Sequence, residues 1–130
     1  MKIINAMKLH KTGREVQCPN GGFTSIRMLL EKDKMGFTMT RTTIHPGDWQ
    51  WWHYKHHLEA CYCIKGSALL KNEKTGEVHE IKPGICYALD KHDPHLFKAT
   101  ETTILICVFN PPLTGLEVHQ KDGSYSAKEK

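Results

Sequence analysis

The chain has 130 residues, 39% of them hydrophobic and 25% charged, enough for one domain with a real core and too few for two. A mean hydropathy of −0.49, with no apolar run near the length of a bilayer crossing, excludes a membrane-spanning helix. Eighteen Lys and Arg against fourteen Asp and Glu leave a scattered +4, so no nucleic-acid or membrane partner is expected, while nine histidines point to metal or acid–base chemistry.

Residues 1–22 read as an N-terminal strand and loop segment. Ser25–Leu30 and Gly36–Ile44 then flank a polar turn over residues 31–35, and Pro46-Gly47-Asp48 closes the second run. Trp51–Tyr54, Leu58–Ile64 and Ala68–Lys71 follow, the last ending in the hairpin-like loop Asn72-Glu73-Lys74-Thr75-Gly76. Glu77–Ile81 leads through Lys82-Pro83-Gly84 to Ile85–Leu89, Leu96–Ala99 and Thr103–Phe109, and residues 126–130 form a tail expected to fray. No stretch of helical length keeps a 3.6-residue period. Short strands at this spacing predict a single all-β domain over residues 1–130, a sandwich or small barrel with little helix.

The cysteines are Cys18, Cys61, Cys63, Cys86 and Cys107, an odd number in a chain whose first residues lack a secretory signal. They read as small, buried, reduced thiols of a cytoplasmic protein, with Cys61 and Cys63 on the same side of one strand. On Gly36–Ile44, Thr38, Thr40 and Thr42 share one face, and Phe37, Met39, Arg41 and Thr43 share the other. Alternation alone sends the threonines to solvent; a polar barrel interior is the alternative.

From Gly47 the chain reads Gly47-x5-His53-x-Lys55-x3-Glu59-x6-Gly66, and later Pro83-Gly84-x2-Tyr87 with His95 beyond it. These resemble the two cupin motifs, with Lys55 and Tyr87 where histidines usually stand. Longer words are more specific. Tyr54-Lys55-His56-His57-Leu58-Glu59-Ala60, Ile81-Lys82-Pro83-Gly84, Tyr87-Ala88-Leu89-Asp90-Lys91-His92-Asp93-x-His95 and Cys107-Val108-Phe109-Asn110-Pro111-Pro112-Leu113-Thr114-Gly115-x-Glu117-Val118-His119 resemble the ectoine synthase family. The similarity runs from Ile3 to about Tyr125.

The resemblance implies a cupin-type jelly-roll barrel, a homodimer and a lyase. The family condenses N-γ-acetyl-L-2,4-diaminobutyrate into ectoine within one molecule, with loss of water. It also implies a single iron(II), replaceable by other divalent metals, on Glu59, Tyr87 and His95. Two oxygen donors and one imidazole leave open positions on such an ion. Glu117, His119, Tyr54 and His57 are the implied catalytic residues. Ser25, Arg27, Thr40, Thr42, Phe109 and Phe23 are the implied substrate contacts, with Arg27 as the bidentate partner of a carboxylate. Placing Thr42 in the cavity turns Thr40 and Thr38 inward and Phe37 and Met39 outward. His53, His56 and His92 read as surface groups.

The chain departs from the family pattern at Phe23, usually Trp, at Thr40, usually Asn, and at Gln50-Trp51-Trp52, usually a Thr- and His-containing stretch. Two rival readings follow: a related cupin acting on another amino-acid amide, and a non-catalytic cupin that binds a small osmolyte.

Overall fold

A computed structural model describes residues 1–117. Ten strands form: β1 (Glu15–Gln17), β2 (Phe23–Leu29), β3 (Thr38–Ile44), β4 (Gln50–Trp52), β5 (Leu58–Lys65), β6 (Ala68–Asn72), β7 (Val78–Ile81), β8 (Cys86–Leu89), β9 (His95–Ala99) and β10 (Thr103–Asn110). Two short 3-10 turns, Ala6–Leu9 and Glu31–Asp33, are the helical content of the described residues. The all-β expectation holds. The larger sheet runs β1-β2-β3-β10-β5-β8 and the smaller β4-β9-β6-β7, with every pairing antiparallel.

Alternation along each strand sends one set of side chains between the sheets. Ile44, Cys63, Leu70, Phe97, Ala99 and Leu105 meet there in one buried cluster. Ile26 is buried outside that cluster, and the Ala6–Leu9 turn lies against its strand. The loop between β6 and β7 is the expected hairpin connection. Asn72 Oδ1 accepts from the Lys74 and Thr75 N–H groups, and Gly76 has φ +76°.

The boundaries differ from expectation at two places that matter. The strand expected over Trp51–Tyr54 is β4, Gln50–Trp52, because Tyr54 leaves the ladder to pack its ring against Phe109. His95 begins β9 rather than preceding it, paired with Trp52 and Asn72. Four cysteines are buried as expected. Cys86 is exposed, because β8 is the edge of the larger sheet and Cys86 points away from the interior.

Candidate active site

The inward face of the larger sheet carries a straight row of chemically active side chains. In the strand registers Arg27 stands opposite Thr40, Thr40 opposite Cys107, Cys107 opposite Cys61, and Cys61 opposite Tyr87. A parallel row, two residues along, holds Thr38, Phe109, Glu59 and Leu89. Period-two geometry makes each row face one way, so the placement of Glu59 and Cys61 fixes that of their neighbours. Thr38 and Thr40 are buried and Thr42 is half-buried, so the threonine face lies inside and Met39 alternates to the other side; Phe37 precedes the strand and is half-buried.

Between the sheets this face borders a cavity of about 20 Å³, lined by Phe23, Thr42, Tyr54, Glu59, Cys61, Tyr87, Cys107 and Phe109 together with Ile44, Trp52 and Leu105. That space suits one ion or water-sized group rather than an empty apolar void. A groove of about 760 Å³ lies on the other side of Tyr87, between β7 and β8, and reaches His95. Tyr87 therefore separates an inner cavity from an open outer one.

The electrostatics are those of a buried polar site. Burial pushes the Glu59 carboxyl up to about 8, against the opposing bonds from the Cys61 and Cys107 thiols. Burial also raises the Tyr87 phenol and the Cys61 thiol well above their ordinary values. His95 moves the other way: burial brings it to about 4, although its bond to the Asp93 carbonyl opposes this. At neutral pH His95 is therefore uncharged. Its Nδ1–H donates to the Asp93 carbonyl oxygen at 2.9 Å, which leaves Nε2 as a buried lone pair with no hydrogen-bond partner among the described residues. The rings of Trp52 and Tyr54, each 6.0 Å away, hold the imidazole in place.

Hydroxyls extend the polar surface. Thr42 Oγ1 lies 3.1 Å from both Ser25 Oγ and Thr40 Oγ1, and the Cys107 thiol points to it at 3.9 Å. His57 is buried against the Phe109 ring, and burial lowers its pKa while the Glu117 charge opposes that.

The chain beyond β10 returns over this end of the barrel. Thr38 Oγ1 accepts from the Leu113 N–H at 2.7 Å, and Arg27 Nη2 donates to the Glu117 carbonyl oxygen at 2.9 Å. The Glu117 carboxylate folds back on its own turn. Burial would raise its pKa, but the Thr114 N–H and hydroxyl and the Gly115 N–H donate to it and hold it below the ordinary value.

Of the residues expected from the sequence, Phe23, Thr42, Tyr54, Glu59, Tyr87 and Phe109 line the inner cavity. Ser25, Arg27, Thr40, His57 and Glu117 are buried around it, and His95, on the smaller sheet, is buried against the cavity-lining rings of Trp52 and Tyr54 while lining the outer groove. His119 lies outside the described residues, as does the tail at 126–130. His56 and His92 are exposed and His53 is half-buried. Sequence reasoning passed over Cys61 and Cys107 as inert thiols. Their donor atoms and a Glu59 oxygen all lie within 4.8 Å of one another, a buried cluster able to hold a metal ion. The signal available was the two-residue spacing of Glu59, Cys61 and Cys63. Sequence reasoning turned Thr38 inward but gave it no role; its hydroxyl anchors the returning chain.

Comparison with known proteins places this arrangement. A family model described as ectoine synthase matches residues 1–129. The L-ectoine synthase of Alkalilimnicola ehrlichii is 50% identical over 130 residues, covering 99% of this chain and 97% of that protein. The crystal structure of ectoine synthase from P. lautus superposes with a TM-score of 0.86 at 39% identity, over 95% of this chain and 87% of that one. A cupin domain of an XRE-family transcriptional regulator from Enterobacter cloacae superposes with a TM-score of 0.58 at 14% identity, over 70% of this chain and 98% of that one, a likeness of fold alone.

Proposed function

The chain belongs to the ectoine synthase family, and from that membership we propose how its cavity carries out the family's reaction. The reaction is the intramolecular condensation of N-γ-acetyl-L-2,4-diaminobutyrate to ectoine with loss of one water, so the enzyme is a hydro-lyase.

Glu59, Tyr87 and His95 would hold a single iron(II), or another divalent first-row ion, which when bound supplies a Lewis acid for an amide oxygen. The observation that carries this reading is Glu59 itself. A carboxyl 8% exposed on a barrel strand, with its pKa pushed to about 8, is costly unless a cation offsets it. The unpartnered Nε2 of a neutral His95 supports the same reading, because that lone pair is the ligating atom of an imidazole.

The remaining residues bind and orient. Arg27 takes the substrate carboxylate through its planar fork. Ser25, Thr40 and Thr42 offer hydroxyls along the same face, and Phe23 and Phe109 exclude water from the acetyl end. Holding the α-amine against the acetyl carbonyl in one folded conformer supplies much of the rate. The attacking nitrogen must lose one proton before attack and a second after it, and the departing oxygen must gain two to leave as water. Glu117 and His119 hold the amine and take its protons; Tyr54 and His57 relay protons to the departing oxygen.

The reading includes three statements about the whole molecule. The chain forms one cupin-type domain over residues 1–130. It acts in the cytoplasm, which fits five free thiols. It works as a homodimer through an edge strand, which fits the exposed Val78, Ile85 and Cys86 along the β7 and β8 edges. Light scattering at micromolar concentration should give twice the chain mass, and a monomeric mass contradicts the dimer.

Protein loaded with iron(II), its metal content quantified, should convert acetyl-diaminobutyrate into a product lighter by one water. Binding without conversion would refute the catalytic reading.

A further inference from the structure

The inner cavity has a polar end and an apolar end, and the apolar end is closed by a side chain outside the proposed catalytic and binding set. Along β2, Arg27, Ser25 and Phe23 point inward from alternate positions. A carboxylate held on Arg27 therefore carries the rest of a small amino acid past Ser25 toward Phe23, roughly 13 Å away along the strand. Phe23 stands opposite Ile44 in the β2–β3 register, and Trp52, on β4 of the smaller sheet, meets the Phe23 ring edge-on at 5.4 Å. Phe23, Ile44, Trp52 and Leu105 make the apolar wall of the cavity. The indole is held firmly. Trp52 is 6% exposed and stacks on the buried Phe97 ring at 5.5 Å and 23°. The His95 ring, on the residue paired with Trp52 across β4 and β9, lies 6.0 Å away at 73°. Contacts with three rings fix the indole, and such packing does not yield even one methylene without cost.

We infer that Trp52 is a specificity-determining residue, whose indole backs the acyl methyl group and limits the N-γ-acyl group of the substrate to two carbons. The inference rests on the proposed condensation and on Arg27 as the carboxylate partner. The bonds made and broken are the same for any acyl group. The α-nitrogen joins the acyl carbon and the amide oxygen leaves as water, so a propionyl substrate gives the same ring with ethyl in place of methyl. The chemistry does not distinguish the two, and discrimination falls to the wall. One added methylene against a fixed apolar wall is worth about ten- to two-hundredfold in kcat/KM. A smaller apolar side chain at position 52 makes room for that methylene and removes the discrimination.

The test compares N-γ-acetyl- and N-γ-propionyl-diaminobutyrate as substrates of the iron-loaded full chain, both assayed on one preparation. The ratio of the two kcat/KM values cancels the fraction of active enzyme, so a loss of folded or metal-loaded protein does not move it. Wild type should prefer the acetyl compound by about tenfold or more. Trp52→Leu should raise the propionyl-to-acetyl ratio by about tenfold or more. Trp52→Phe, which keeps a ring in the stack, should raise it severalfold and decides the matter if the leucine variant is insoluble. Ile26→Val, a buried change on the opposite face of β2, should leave the ratio at its wild-type value. Calorimetric Kd values for the two compounds on the metal-free protein should shift their ratio in the same direction in the Trp52 variants. Equal use of both compounds by wild type, or an unchanged ratio in the Trp52 variants, overturns the inference and leaves the condensation standing. An equal shift in Ile26→Val also overturns it, because general loosening would then account for the change. Wild type that converts neither compound overturns the proposed function and this inference together.

Discussion

Arg27 on β2 and Glu117, ninety positions later, are joined by a 2.9 Å hydrogen bond from the Arg27 guanidinium to the Glu117 carbonyl oxygen. One buried cation thus ties the returning C-terminal segment to the row of polar side chains that crosses the larger sheet. Lysine is a point charge without the planar fork, so it cannot hold that carbonyl and a carboxylate together.

Arg27→Lys should therefore raise KM for acetyl-diaminobutyrate and lower hydrogen-exchange protection around residues 113–117, with the barrel folded. Hydrogen bonds to charged groups contribute about 1.5–3 kcal/mol, so kcat/KM should fall roughly ten- to a hundredfold. Unchanged kinetics would remove Arg27 from the binding site.

The inward face of β3 makes a second, discriminating prediction. Thr40 is 1% exposed and lies 3.1 Å from Thr42, whereas Arg41 points the other way. Thr40→Asn introduces an amide beside the cavity and should alter KM or kcat severalfold. Arg41→Asn should alter neither. Equal effects from the two would mean that the threonine face does not meet substrate.

The fold and this face were legible in the sequence to different degrees. Strand runs between turn signals located nearly every strand, because Gly, Pro and Asn punctuate the chain wherever it reverses. Whether Thr38, Thr40 and Thr42 faced in or out was not legible from alternation, since a period of two fixes only that they share a side. Family resemblance resolved that ambiguity, and the burial of Thr38 and Thr40 agrees with it. The cross-strand row from Arg27 through Thr40, Cys107 and Cys61 to Tyr87 was hidden for a different reason. It depends on register between strands up to eighty residues apart, and a register is set by the whole sheet rather than by any local word. The Arg27–Glu117 bond has the same character.

Gly66 is a structural test of the barrel independent of chemistry. It turns the chain between β5 and β6 at φ +101°, and a Cβ there would meet the Thr102 carbonyl oxygen at 2.4 Å and the Thr103 Cα at 2.6 Å. Both are backbone atoms that cannot rotate away. Gly66→Ala should cost about 3 kcal/mol or more through strain and overlap, visible as a lowered Tm or insoluble protein. Gly76→Ala, strained at φ +76° but in open space, should cost about 1 kcal/mol.

Burial of Glu59 and His95 gives the metal-free protein an unusual pH dependence. Glu59, raised to about 8 when folded, stabilises the protein below its unfolded value near 4.5 and loses that contribution as pH rises through 8. His95, lowered to about 4, contributes stability that is present above its unfolded value near 6.5 and lost as pH falls through 4. Between pH 4.5 and 6.5 the two oppose each other, and above 6.5 Glu59 acts alone. Stability of the metal-free protein should fall by about 2 kcal/mol between pH 6.5 and 8, at about 1.4 kcal/mol per unit. Chemical denaturation across that range should show the decline, and Glu59→Gln or a saturating divalent cation should flatten it.

Iron content decides whether Glu59, Tyr87 and His95 hold the metal on which turnover of acetyl-diaminobutyrate depends. The most direct measurement is the iron content per folded chain of wild type, Glu59→Ala, Tyr87→Ala and His95→Ala, each loaded anaerobically and assayed for ectoine in the same sample. Wild type should hold close to one iron per chain, and each variant should lose most of the metal and nearly all activity while the β-sheet circular dichroism persists. Full iron occupancy in all three variants would contradict that assignment.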